Sequence, residues 1–196
     1  MSTTVTPVPV QSGTTAPAQA TTWQIDPTHT SVGFAVKHLV IATVKGQFGS
    51  VSGAVVVDER NPRKVQLEVE IDASSIDTRT EQRDAHLRSA DFLDVEKHPK
   101  IRFVGKRVEG DLEGDFRLVG DLTIRGVTRE TVLEVTNEGR ARDPWGGERA
   151  VFSAKTKINR AEFGLTWNQA LETGGVLVGE DVRISLDVEL VKAAQA

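Results

Sequence analysis

Between Trp23 and Val191 the apolar residues recur at every second position, and no other feature of the chain constrains its fold as strongly. Val182, Ile184, Leu186, Val188 and Leu190 alternate with Arg183, Ser185, Asp187 and Glu189. Val65, Leu67, Val69 and Ile71 alternate with Gln66, Glu68 and Glu70. Phe116, Leu118, Leu122 and Ile124 share one parity, with Gly120 standing where a bulky side chain is otherwise due. Ala150, Phe152, Ala154, Thr156 and Ile158 share another. A period of two places these side chains on one face of a strand and the charged ones on the other. Strands of that kind build an antiparallel sheet covered on a single side, so the fold class is all-β.

Further strands are expected around Ser31 to Lys37, Lys45 to Val57, Ile101 to Val108 and Val127 to Asn137. Turn chemistry separates them: Asp58-Glu59-Arg60-Asn61-Pro62, Asn137-Glu138-Gly139 and Asp143-Pro144-Trp145-Gly146-Gly147. That makes about eight strands with no second composition shift. Closing them into a barrel removes the exposed edges; pattern alone also admits a β-sandwich. Thr78 to Leu93 breaks the alternation, being rich in helix formers and free of Gly and Pro. It predicts a short helical excursion across one barrel mouth, capped by Asp77 or by Thr78 in a capping box with Glu81.

Residues 1–21 are rich in Thr, Pro, Val, Gln and Ala, contain no Lys or Arg, and predict a disordered tail ahead of one domain over 22–192. They lack the basic start and continuous apolar core of a secretory signal, so the expected compartment is cytoplasmic. No stretch approaches the length of a membrane-spanning helix. With 24 Lys and Arg against 28 Asp and Glu, the net charge of −4 gives no support to a nucleic-acid partner. The absence of cysteine removes disulfides and thiolate chemistry.

Catalytic signatures are lacking. No GxSxG elbow occurs, and Gly46, Gly49 and Gly53 fit neither phosphate-binding fingerprint, marking instead a bulge or close strand approach. His29, His38, His86 and His98 show no tight ligand spacing, so no metal or cofactor is assigned, although dispersed histidines can converge in a barrel. In the run Arg79-Thr80-Glu81-Gln82-Arg83-Asp84, Arg79 and Arg83 are expected to share a helix face, as are Gln82 and His86. That face is either a recognition surface or a polar anchor to the barrel rim.

The segment from Trp23 through Asp26-Pro27-Thr28-His29 to Phe34-Ala35-Val36-Lys37-His38 resembles the opening of the YceI-like family. Agreement continues through Arg83-Asp84-Ala85-His86-Leu87-Arg88-Ser89-Ala90-Asp91-Phe92, His98-Pro99-Lys100-Ile101-Arg102-Phe103, Gly120 to Thr128 and Asn159-Arg160-Ala161-Glu162-Phe163-Gly164-Leu165. The resemblance spans about Trp23 to Val191. It implies a lipocalin-like extended β-barrel of eight antiparallel strands holding a long amphiphile of polyisoprenoid or isoprenoid-quinone type. Many relatives carry a signal peptide, from which residues 1–21 depart.

Under that reading Phe34, Val36, Phe48, Val69, Ile71, Phe103, Leu122 and Ile124 form an apolar inner wall. His38, Arg83, His86 and Trp167, from the matching motifs, are the candidates for orienting a headgroup. The expected function is a ligand carrier, not an enzyme, with a homodimer admitted by an aromatic rim. The alternatives are a metal- or haem-binding redox or hydrolytic protein using the barrel histidines, and a stress-linked interaction protein with a filled core.

Overall fold

The computed structural model describes residues 20–58, 60–63, 65–172 and 175–193. The expectation of a disordered tail falls on residues 1–19, outside that set, and on Ala20 and Thr21, which lie in the first strand. Eleven strands follow: β1 (Ala20–Ile25), β2 (Ser31–His38), β3 (Ala42–Phe48), β4 (Val51–Asp58), β5 (Val65–Asp72) and β6 (Ile76–Asp77). After helix α1 (Glu81–Arg88) come β7 (Lys100–Gly110), β8 (Asp115–Ile124), β9 (Val127–Arg142), β10 (Glu148–Asn159) and β11 (Val178–Lys192).

The first six are halves of three kinked staves. β1 pairs with β4 while β2 pairs with β3, and β5 pairs with β4 while β6 pairs with β3. From β5 the order runs β7, β8, β9, β10, β11, each antiparallel to the last. β11 then closes on the first stave, meeting β2 at Val182↔Val36 and β1 at Leu190↔Ile25. The result is a closed eight-stave antiparallel barrel in which every stave lies beside its neighbours in sequence; the connections are short except for 78–99, which holds α1, and 160–177, and among the described residues no edge runs the length of the sheet.

Hydrogen bonds mark two of the kinks. Between β1 and β2 the Asp26 carboxylate accepts the Thr28 amide at 2.9 Å and its hydroxyl at 2.6 Å, folding Pro27–Thr30 out of the ladder. Between β3 and β4 the Gly49 amide donates to the Ser75 carbonyl at 3.2 Å instead of a strand partner. At Gly53 a Cβ would collide with the Glu68 carbonyl, so the close strand approach expected of this Gly-Ser segment is present.

The helix is shorter than the sequence suggests. It begins at Glu81 after N-cap Thr80, whose side chain makes no capping bond, and ends at Arg88. Neither Asp77 nor Thr78 caps it. The Thr78 hydroxyl instead donates to the buried Asp84 carboxylate and accepts Arg83 Nε at 2.7 Å. Arg79 stands before the helix at φ 62°, so it does not share a helix face with Arg83. Arg88 reaches the Ser74 carbonyl at 2.8 Å and the Ile76 carbonyl at 2.7 Å. Arg83, through Thr78 and Thr80, holds the start of α1 to the segment before it, and Arg88 ties the end of α1 to the rim. No helix among the described residues is long and apolar enough to cross a membrane.

Candidate functional site

The barrel is hollow. Its lumen has a volume of about 690 Å³, inside the range of roughly 300–1,000 Å³ usual for small-molecule sites. The wall follows directly from the alternation. All the apolar positions of one parity in β5, β8, β10 and β11 face inward, from Val65 to Ile71, Phe116 to Ile124, Ala150 to Ile158 and Val182 to Leu190. A barrel of eight staves is wide enough that inward side chains of mostly aliphatic size leave a lumen instead of meeting at the axis.

One end is covered. α1 and the turns after it place Leu87, Phe92 and Leu93 over the lumen, and Leu165 from the loop before β11 joins them. Phe92 and Leu93 are each 6% exposed. Arg160, in a short 3₁₀ turn (Arg160–Phe163), also reaches the lumen wall at this end although only 6% exposed. Its guanidinium donates to four carbonyls: Gly179 at 2.9 Å, Leu165 at 2.5 Å, Trp167 at 3.0 Å and Val178 at 3.3 Å. Burial pushes its pKa down from the ordinary arginine value. It is a tie between the covering loop and β11.

The other end carries the polar lining: Thr21, Asn137, Arg140, Glu148 and Lys192, with Glu113 on the β7–β8 hairpin. Arg140 and Glu113 are exposed, so this end meets solvent. Lys192 Nζ pairs with Glu148 at 3.0 Å and Arg142 with the same carboxylate at 3.4 Å. Those contacts, the Lys192 hydrogen bond first, hold the Glu148 carboxyl below its ordinary range. The Trp23 ring lies beneath, with the Arg140 guanidinium 5.7 Å and Lys192 Nζ 6.0 Å from its centroid.

Of the sequence-predicted site residues, the eight apolar ones, Phe34, Val36, Phe48, Val69, Ile71, Phe103, Leu122 and Ile124, all line the lumen. The four polar or aromatic candidates, His38, Arg83, His86 and Trp167, do not. His86 and Trp167 meet edge to face behind the cover, ring centroids 4.7 Å apart, with Phe92 between them and the lumen at 5.0 Å from His86. His38 ends β2 opposite Ala42. Motif membership pointed to these four; Arg83, His86 and Trp167 belong to the cover and its surroundings, whereas the motif of His38 forms the first stave. The rim residues were within reach of the alternation: Glu148 and Lys192 continue the inward parities of β10 and β11 by one step. Arg140 was hidden by the bulge that shifts β9 against β10 between Val151 and Phe152.

No group of three or more potential metal ligands among the described residues contains two of the four histidines. Among the described residues one group has the spacing of a metal site, Asp26, His29 and Glu189. It lies where Arg149 inserts its guanidinium, bonding Asp26 at 2.9 Å and Asp143 at 3.0 Å and pairing with Glu189. A cation already occupies the charge of this cluster, which clamps the kink of the first stave to β10 and β11.

The YceI-like domain model matches residues 23–190. A UPF0312 protein of Staphylococcus aureus is 38% identical over 170 residues, covering 86% of this chain and 96% of its own. One from Staphylococcus epidermidis is 36% identical over the same length and shares. Among solved structures, the YceI protein of Campylobacter jejuni is 30% identical with a TM-score of 0.67, over 81% of this chain and 90% of that one. Burkholderia cenocepacia BcnA, at 19% identity, superimposes with a TM-score of 0.72 over 84% of this chain and 98% of its own. A polyisoprenoid binding domain from Saccharophagus degradans, at 12% identity, does so with 0.66 over 87% and 98%. The chain belongs to the YceI-like family.

Proposed function

We propose that the protein binds and carries one long amphiphilic lipid, of polyisoprenoid or isoprenoid-quinone type, in the barrel lumen, and performs no bond-making chemistry on it. The observation that carries this reading is the hollow lumen of about 690 Å³ walled by inward aliphatic and aromatic side chains from every stave. Water in such a space makes few hydrogen bonds, so an apolar chain displaces it favourably. Each methylene transferred from water gains about 0.8 kcal/mol, and a chain of ten or so carbons outweighs its immobilisation. The fold is also that of the Saccharophagus degradans domain described as polyisoprenoid binding, which agrees with this reading without fixing the ligand.

Displacement of an environment-sensitive apolar dye by geranylgeraniol tests it. The expected result is saturable displacement at about one equivalent per chain, with micromolar affinity or better. Failure of the dye to bind, or of geranylgeraniol to displace it, overturns the reading.

A further inference from the structure

Arg140 interrupts the apolar wall. Cross-strand pairing places Arg140 beside Ala150, Ala150 beside Leu190 and Leu190 beside Ile25, one continuous row on the inner face. Ala150, Leu190 and Ile25 are buried at 2%, 7% and 9% exposure. The fourth position of the row is a guanidinium. One step nearer solvent, Arg142 and Lys192 share the Glu148 carboxylate. Arg140 has no carboxylate within 4.0 Å among the described residues; what it meets is the Trp23 ring, which Lys192 also approaches. Glu113, across the mouth on the β7–β8 hairpin, forms no ion pair with any of them.

Arg140, Arg142 and Lys192 therefore stand at the solvent end of an apolar lumen with Glu148 and, across the mouth, Glu113, and of the three cations Arg140 is the one with no carboxylate partner among the described residues. Two of them press on one aromatic ring, and mutual repulsion opposes the attraction each has for it. A low-dielectric wall below them strengthens their field at the mouth. An oxyanion between Arg140 and Lys192 satisfies both, and the fork of Arg140 suits two oxygens of one phosphate or carboxylate.

We propose that the mouth between β1, β9, β10 and β11 seats the anionic headgroup, phosphate or carboxylate, of the bound lipid, gripped by Arg140 with Lys192 beside it while the tail fills the lumen. This rests on the reading of the lumen as a lipid site.

Dodecyl phosphate, dodecanol and inorganic phosphate are titrated by calorimetry against the wild type, Arg140→Gln and Arg140→Lys, with urea midpoints confirming that the variants fold. The wild type prefers dodecyl phosphate to dodecanol by about tenfold, the scale of one charge-assisted contact. Arg140→Gln brings that ratio close to one, Arg140→Lys retains part of it, and raising salt lowers the wild-type ratio. Inorganic phosphate alone binds at least about a hundredfold more weakly than dodecyl phosphate, because it leaves the lumen unfilled. Equal affinity for the two dodecyl compounds, or a preference that survives Arg140→Gln, overturns the headgroup assignment and leaves the lumen reading standing. Inorganic phosphate binding as tightly as dodecyl phosphate makes the mouth a free-anion site and likewise overturns it. Binding of neither dodecyl compound removes the lumen reading, and the headgroup assignment falls with it.

Discussion

Phe103 on β7 lays its ring in the space that a side chain at Gly120 on β8 would fill. A Cβ added at Gly120 would stand 2.5 Å from the ring edge and collide with the Val104 carbonyl. The two positions divide one volume of the wall, so the ring lies flat along the sheet and the lumen stays clear. Gly120→Ala must push the ring inward or part the strands. Overpacking of this kind costs about 1–3 kcal/mol. The expected outcome is a lower urea midpoint for Gly120→Ala, with uptake of geranylgeraniol reduced because the displaced ring enters the lumen. Phe103→Leu in the same background, by vacating that space, restores part of the midpoint.

Filling the lumen separates binding from folding. Leu186 faces inward from the middle of β11. Leu186→Trp enlarges a side chain into empty volume, so the expected effect on stability stays within about 1 kcal/mol while geranylgeraniol affinity falls at least about tenfold. Dye displacement and urea titration of the same preparation read both.

Arg160 is a structural tie, and its loss has a large expected cost. Arg160→Ala strands four carbonyls that the guanidinium serves at 2.5 to 3.3 Å. A buried carbonyl left without a donor costs about 1–3 kcal/mol. Arg160→Lys recovers little, because an ammonium cannot present the planar fork that reaches all four. Amide exchange localises the effect: protection is lost first over 164–172 and at the start of β11.

Acid unfolding centres on the kink of the first stave. The Thr28 hydroxyl first, then His29, the Thr28 amide and Arg149, holds the Asp26 carboxyl well below the usual carboxylate range. Asp72, Asp143 and Glu148 are shifted in the same direction. An unfolded Asp takes up its proton near pH 4, at about 3.9, while the folded one does not. The stabilisation is therefore complete above that value and is lost as pH falls toward the folded pKa. The urea midpoint is expected to drop between about pH 5 and about pH 3, and Asp26→Asn to lower the neutral plateau and flatten that drop. An unchanged acid slope in Asp26→Asn excludes Asp26 as a main contributor.

The wall was legible because burial on one side of a strand imprints itself locally, residue by residue. Val182 to Leu190 and Val65 to Ile71 needed no knowledge of their neighbours to declare an inner face. The kinks were not legible, since Asp26 acts through Thr28, His29 and an Arg149 far along the chain, which no window of sequence brings together. Motif likeness did not separate Arg83, His86 and Trp167 from the lumen wall, because residues at the cover stand in the same runs as those that touch the lumen, and it did not show that His38 stands at the end of β2. Phe92 lines the lumen and His86 packs edge-on behind it, six residues apart in one motif. Arg140 needed the β9 bulge to be known before its inward parity could be assigned.

Native mass spectrometry of freshly purified protein, with organic extraction of whatever is bound, decides whether the lumen holds a lipid. The expected result is a stoichiometric adduct that survives gentle ionisation, extracts into organic solvent as an amphiphile with a long apolar chain, and is absent from Leu186→Trp. Bare protein, which also fails to take up offered prenyl alcohols after delipidation, would contradict it.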